Sequence, residues 1–188
     1  MAADRFVPHN ELEYAQLLKW ARGSRSILEI GSRYGYTLVN LAHVMEGKGR
    51  IVSIDFPGAG PWGNSDSEAY LRDNVNLLRS EGYNAHLYIC DSRDQMVVNG
   101  IRFLAPFDFV FIDGDHTYEG VKADWENYGP LGKCVAFHDI VQPKPGERQE
   151  LGVWRLWAEI RKDHVTQEFI APGSKMGIGL VGPRLPTA

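Results

Sequence analysis

The stretch that decides the fold is Ile27-Leu-Glu-Ile-Gly-Ser-Arg-Tyr-Gly35. A short apolar run, Ile27–Ile30, breaks at Gly31. Thr37–Met45 then carries Leu38, Leu41, Ala42 and Met45 on one helical face. This is a strand, a glycine turn and a helix. Glycines at 31 and 35 let the backbone pass close to a ligand, and the helix start offers free N–H groups and a positive dipole end to an anion. The spacing is G-x-x-x-G rather than the G-x-G-x-x-G of dinucleotide enzymes. Arg33 stands where a pyrophosphate would need glycine. A smaller anion, such as the carboxylate of an amino acid, suits the turn better.

Working outward, the same alternation repeats. Asn10 and Glu13 have capping-box spacing before a leading helix with Leu12, Ala15, Leu17, Leu18 and Ala21. That helix is expected against the sheet or over its mouth. Arg50–Asp55 is a second strand, and 56–66, with Pro57, Gly58, Gly60, Pro61 and Gly63, is a loop. A helix over Ser67–Ser80, a strand over His86–Ile89 and a short helix between Arg93 and Phe103 follow. Phe107–Ile112 is a strand broken only by Asp108. A helix over Tyr118–Tyr128, a strand over Lys133–Phe137, a loop over 142–149 and a helix over Leu151–Lys162 come next. Val165–Ile170 and Ile178–Val181 read as closing strands. Strands separated by helices pair in parallel with right-handed crossovers, which places helices on both faces.

In such a sheet, ligands bind beyond the carboxyl ends of the strands. Here those ends read Glu29-Ile-Gly31, Asp55, Asp91, Asp113 and His138-Asp139. One acid after a strand is an ordinary helix cap. Five in register point to a binding rim. Asp55 sits where such folds place a ribose-binding acid, and Asp91 could accept from an adenine amino group. Asp113-Gly-Asp115-His116 is the densest cluster, and His138-Asp139 ends the neighbouring strand. These residues can hold a divalent metal, supply a histidine base, or form a hydrogen-bonded network that props the loop. Trp62 is placed at the rim, while Trp154 and Trp157 read as core or interface. Cys90 and Cys134 read as buried thiols.

The chain has 188 residues and a net charge of -4, with 44% hydrophobic and 23% charged residues. One domain over 1–188, with a core at about 10–182, is expected. No basic run suggests nucleic acid. No apolar stretch reaches the roughly 18 residues of a membrane span, and the start lacks a signal-peptide core. A soluble, cytoplasmic protein with a small-molecule partner is expected, its oligomeric state open.

The motifs Glu29-Ile-Gly-Ser-Arg-Tyr-Gly35, Asp55, Phe109-Val-Phe-Ile-Asp-Gly-Asp-His-Thr-Tyr-Glu-Gly120, Ala136-Phe-His-Asp-Ile140 and Gly152-Val-Trp-Arg-Leu-Trp157 together resemble the class I S-adenosylmethionine-dependent methyltransferases, and more narrowly methyltransferase family 24, the cephalosporin-hydroxylase-like group. The resemblance implies a Rossmann-like, seven-stranded, mostly parallel sheet with an antiparallel last strand. It implies S-adenosylmethionine (SAM) held by Glu29, Gly31, Ser32, Arg33, Gly35, Asp55, Asp91 and Asp113. It implies methyl transfer, with O-methylation of a small hydroxylated molecule (a sugar or natural product) favoured and His116 or His138 as base beside Asp113. Some related O-methyltransferases hold Mg²⁺ or another divalent cation with acids matching Asp113 and Asp139, and here His138 or His116 could supply a further ligand or act as base with no metal. Those enzymes carry Asn or Asp where this chain has Ile140. Two other readings stand beside this one: a metal-dependent glycosyltransferase using Asp113-Gly-Asp115 as a D-x-D triplet, and a non-catalytic SAM-binding or interaction module.

Overall fold

The computed structural model describes residues 10–147 and 150–182, apart from the Trp62 side chain. The rim position expected for Trp62 therefore lies outside what is described. Among the described residues, seven strands, β1 (Ser26–Ile30), β2 (Arg50–Asp55), β3 (Asn84–Ile89), β4 (Phe107–Ile112), β5 (Gly132–His138), β6 (Thr166–Phe169) and β7 (Ile178–Val181), form one sheet in the order β3-β2-β1-β4-β5-β7-β6. Strands β1–β5 pair in parallel, and β7 runs antiparallel to both neighbours. This is the Rossmann-like arrangement expected from the sequence.

Among the described residues, six α-helices cover the sheet: α1 (Glu11–Ala21), α2 (Tyr36–His43), α3 (Ser67–Ser80), α4 (Gln95–Arg102), α5 (Tyr118–Tyr128) and α6 (Val153–Asp163). Two apolar clusters divide between the faces. One joins Leu17, Leu38, Leu41, Leu71 and Val75 of α1–α3 to Phe109 and Phe111 of the sheet. The other joins Val98, Val121, Leu156 and Trp157 of α4–α6 to Leu28, Val110 and Phe137. Alternate strand residues point to opposite faces, and both faces are covered, so the central strands are mostly apolar. Helix α1 lies against the sheet face rather than over its mouth.

Glu13 departs from the capping box. Asn10 Oδ1 does accept from the Leu12 N–H at 3.0 Å. Glu13, however, is fully buried and accepts the Ala171 N–H at 3.0 Å, tying α1 to the β6–β7 connection. The 56–66 loop contains a 3₁₀ segment, Pro57–Trp62, kinked where Gly58, Ala59 and Gly60 take positive φ. No helix among the described residues is long and apolar enough to cross a membrane.

Asp108, the one charge in β4, staples the amino ends of the strands. Its Oδ2 accepts from the Arg25 and Ser26 N–H groups at 2.9 and 3.1 Å, and its Oδ1 meets Lys133 Nζ at 2.6 Å. Ser26 Oγ returns the bond by accepting the Asp108 N–H at 3.0 Å. Asp108→Ala strands two backbone donors and should cost about 1–3 kcal/mol. Urea unfolding followed by circular dichroism checks this, with Lys133→Ala expected to cost less because that pair is largely solvated.

Candidate active site

The strand register brings the carboxyl ends level. Ile30 pairs with Ile54 on one side and Ile112 on the other, and Ile112 pairs with Phe137. The ladder continues one residue into the turns: Gly31 N–H donates to Ile54 O at 2.9 Å, Cys90 N–H to Asp55 O at 2.8 Å, and Asp113 N–H to Ile30 O at 2.8 Å. Turns after β1–β5 therefore leave the sheet at one height. They surround a cavity of about 560 Å³ whose wall includes Gly31, Ser32, Arg33, Asp55, Asp91, Asp113, His116, His138 and Asp139. Most of the rim residues singled out in the sequence meet here.

Two expected cofactor contacts stand behind the wall instead. Glu29 is fully buried beneath the first turn. Its Oε2 accepts from Ser32 Oγ at 2.5 Å, and Ser53 Oγ donates to Ser32 Oγ at 2.8 Å. Burial, together with the charges of Asp113 and Asp55, lifts its carboxyl to about 8 against the Ser32 hydrogen bond. Glu29 thus shapes the turn from below. Gly35 (φ +80°) starts α2, where a Cβ would lie 2.9 Å from Leu71. Its role is packing and turn geometry.

Asp55 ends β2 with 8% of its surface exposed. Burial raises its carboxyl to about 6, while the Phe56 and Arg33 N–H groups pull the other way. Asp91 is more exposed and is gripped by Arg93, whose Nε and Nη2 reach its two oxygens at 2.9 Å each. The Arg93 fork holds the Asp91 carboxyl below its usual range. Asp91 is therefore on the cavity wall with its charge already balanced, a constraint the sequence reading did not foresee.

The densest cluster is compact. His116 Nδ1 lies 2.8 Å from Asp139 Oδ2, and its Nε2 lies 3.3 Å from Asp113 Oδ1. His138 Nδ1 lies 3.3 Å from Asp113 Oδ1 and 3.7 Å from Asp139 Oδ2. Asp139 reaches inward because its backbone turns left-handed, at φ +60°. Burial alone would pull both histidines down, but the two carboxylates outweigh it and lift each imidazole to about 10. Burial would likewise raise both carboxyls, and the imidazoles instead hold them far below the usual range. Each partner thus favours the charged form of the other.

The helical partners of this cluster were not legible as such. Gly152 N–H donates to His116 O at 2.8 Å, and a Cβ on Gly152 would lie 2.2 Å from the Tyr118 nitrogen. Gly120 leaves room for the Asp115 carboxyl, 2.2 Å from where its Cβ would be. Asp115 accepts the Thr117 N–H at 2.9 Å and so braces the turn before Thr117, which caps α5. The Asp113-Gly-Asp115 triplet thus splits between two jobs, which removes the D-x-D metal grip of the glycosyltransferase reading. Tyr34, Tyr36, Ser92 and Met176 also line the cavity. The Tyr34-Gly-Tyr36 pattern was a usable signal for the first two; Met176 carried none. Cys90, expected as a buried thiol within a strand, follows β3 and lies half-buried on the wall, whereas Cys134 is buried.

Among the described residues, no group of three or more His, Cys, Asp or Glu side chains is arranged to hold a metal ion. Asp113 and Asp139 direct oxygens at imidazole nitrogens. Ile140, at the position where related enzymes carry Asn or Asp, is 6% exposed within the apolar cluster. The donor set as arranged does not fit the divalent cation implied by the resemblance.

A parallel sheet with its first glycine turn, an acid after β2 and a polar cluster after β4 and β5 define a methyltransferase-like Rossmann domain. The family model Methyltransf_24, a methyltransferase domain, matches residues 28–140. The chain belongs to this methyltransferase family. Similar solved structures include an O-methyltransferase from Bacillus cereus in complex with SAH (19% identity, TM-score 0.67, covering 97% of this chain and 84% of that one). Cofactor-bound Rv0187 from MTB gives 16% identity and TM-score 0.71, over 96% and 83% of the two chains. The O-methyltransferase TomG from Streptomyces achromogenes, involved in tomaymycin synthesis and in complex with SAM, gives 19% identity and TM-score 0.61, over 94% and 80%. At these identities the likeness is one of fold. The protein y4gI of Sinorhizobium fredii is 41% identical over 56 residues, which is 28% of this chain and 6% of that protein.

Proposed function

We propose that the protein is a SAM-dependent O-methyltransferase acting on a small hydroxylated acceptor. The observation that carries this reading is the convergence of the Gly31 turn, Asp55 and the His116–Asp113–His138–Asp139 cluster on one cavity. Family membership supports methyl transfer as the reaction class. The SAM- and SAH-bound O-methyltransferases among similar folds support the donor and the oxygen acceptor.

When bound, SAM supplies a methyl group already activated on a sulfonium. The residues of the chain then have to bind, align and move one proton. Asp55 is placed to accept from the ribose hydroxyls. Arg33 and the amino end of α2 face the end of the cavity that suits a carboxylate. The turn at Cys90–Arg93 borders the adenine side. His116, with 17% of its side chain exposed against 6% for His138, is the histidine within reach of an acceptor hydroxyl. Asp113 and Asp139 orient its ring.

Isothermal titration with SAM tests the donor. Asp55→Ala should weaken binding about tenfold to a hundredfold, the usual effect of losing hydrogen bonds to a charged acceptor. The wild type adds a pH signature. Its Asp55 carboxyl titrates at about 6, and the ionised form is the better acceptor of hydroxyl donors. SAM affinity should therefore fall as pH drops through about 6, and that step should vanish in Asp55→Asn. Absence of heat with SAM or SAH at high protein concentration would remove the reading. Tight SAM binding with no turnover over a broad panel of hydroxylated acceptors would favour a binding module.

A further inference from the structure

We propose that the His116 imidazole occupies, between the Asp113 and Asp139 carboxylates, the position a divalent cation would otherwise take. Its catalytic meaning rests on the methyl-transfer reading, while its geometric content does not.

The argument begins with where the carboxylates come from. Asp113 follows β4 and Asp139 follows β5, neighbouring parallel strands whose last paired residues are Ile112 and Phe137. Two acids at adjacent strand tips make a natural bridge point for a hard cation, which takes oxygen ligands at roughly 2.0–2.6 Å. In this chain the bridge is a ring. His116 sets one nitrogen 2.8 Å from Asp139 and the other 3.3 Å from Asp113. The two nitrogens lie on different edges of the imidazole, so the ring spans the interval between the carboxylates.

The surrounding side chains agree with this placement. His138 Nδ1 approaches the same two oxygens at 3.3 and 3.7 Å. The next residue along the chain, Ile140, is buried among apolar side chains and offers no side-chain oxygen. The ring is also held in place from outside the cluster, because the Gly152 N–H fixes the His116 carbonyl at 2.8 Å. An imidazole at this point does something a metal ion does not: its Nε2, on the longer 3.3 Å contact to Asp113, can exchange a proton with an acceptor hydroxyl that displaces that contact.

The test is a gain of function. Mn²⁺ alone is titrated into the wild type, His116→Ala and His116→Asn, with binding read by calorimetry and by the Mn²⁺ electron paramagnetic resonance signal. The wild type should show no saturable site below about 1 mM, and EDTA should leave its melting temperature unchanged. Removing the ring takes both His116 nitrogens away from the carboxylates while His138 stays beside them, and His116→Asn puts an amide oxygen on the side the ring occupied. That variant should bind Mn²⁺ at least about tenfold more tightly than the wild type. If His116→Ala does not fold, His116→Asn decides the matter. One Mn²⁺ bound per wild-type chain at micromolar concentration, or folded variants that gain no affinity, would overturn the proposal. SAM titration run in parallel separates the two readings: its failure removes the methyl-transfer reading and leaves the Mn²⁺ result to judge the ring's position.

Discussion

Gly31→Ala is expected to destabilise the protein by about 3–5 kcal/mol, a large part of the 5–15 kcal/mol that typically separates folded from unfolded chains. Two costs add at this residue. Its φ of +86° is a conformation that L side chains rarely adopt. A Cβ there would also lie 2.2 Å from the Asp113 carbonyl oxygen and 2.5 Å from Gly114 Cα. These are backbone atoms, locked by the β1–β4 ladder and by the Asp113 N–H on Ile30 O at 2.8 Å. No side chain can swing aside to relieve the contact, so the β1 and β4 turns would have to separate. Gly47→Ala is the matched control: φ is +70° there, and nothing lies within 4 Å of the added carbon. It should cost only about 1 kcal/mol from the backbone. The urea midpoints of the two variants isolate the steric part, and equal midpoints would mean that the turns do not approach each other as described.

The same close approach explains why so much of this fold was legible. A glycine that follows an apolar run and precedes a helical period forces a strand–turn–helix reading, and Gly31 does so whatever the rest of the chain contains. The acids after β2–β5 were readable for a related reason: parallel strands put their carboxyl ends on one rim, so position in the strand implies position in space. What a residue faces once there was harder to read. Glu29 is in register with the rim, yet its alternation along β1 buries it under the turn. Asp91 reached the cavity already paired with Arg93, because a neighbour two residues on can fold back over a carboxylate. Glu13 has capping spacing, but the β6–β7 connection, 158 residues away, offered a buried N–H that outcompeted the helix end. Met176 arrives at the cavity from that same connection. Long-range partners of this kind leave no local pattern.

His116→Ala should lower kcat by about 10²–10⁴-fold, the usual contribution of a positioned acid–base group, while leaving SAM affinity within about twofold. The sign of the pH dependence follows from the carboxylates. They hold the ring protonated to about 10, so at neutral pH only a small fraction is free to accept a proton. Wild-type kcat should therefore climb with pH, about tenfold per unit while chemistry limits the rate, and level off near 10. His116→Ala should flatten that slope. His138→Gln, at a ring turned further inward, should reduce the rate less and keep the slope. Stability runs the other way. Raised histidine pKa values contribute stabilisation that is complete below the unfolded value of about 6.5 and lost as pH rises through about 10, so the fold weakens over the range in which the rate improves. Initial rates taken within seconds of a pH jump, with melting curves over the same range, separate the two trends. A wild-type profile already flat from pH 6 to 9 would mean that the proton leaves by a route other than His116. The imidazole would then serve by its charge, steadying the acceptor oxygen as the methyl group arrives.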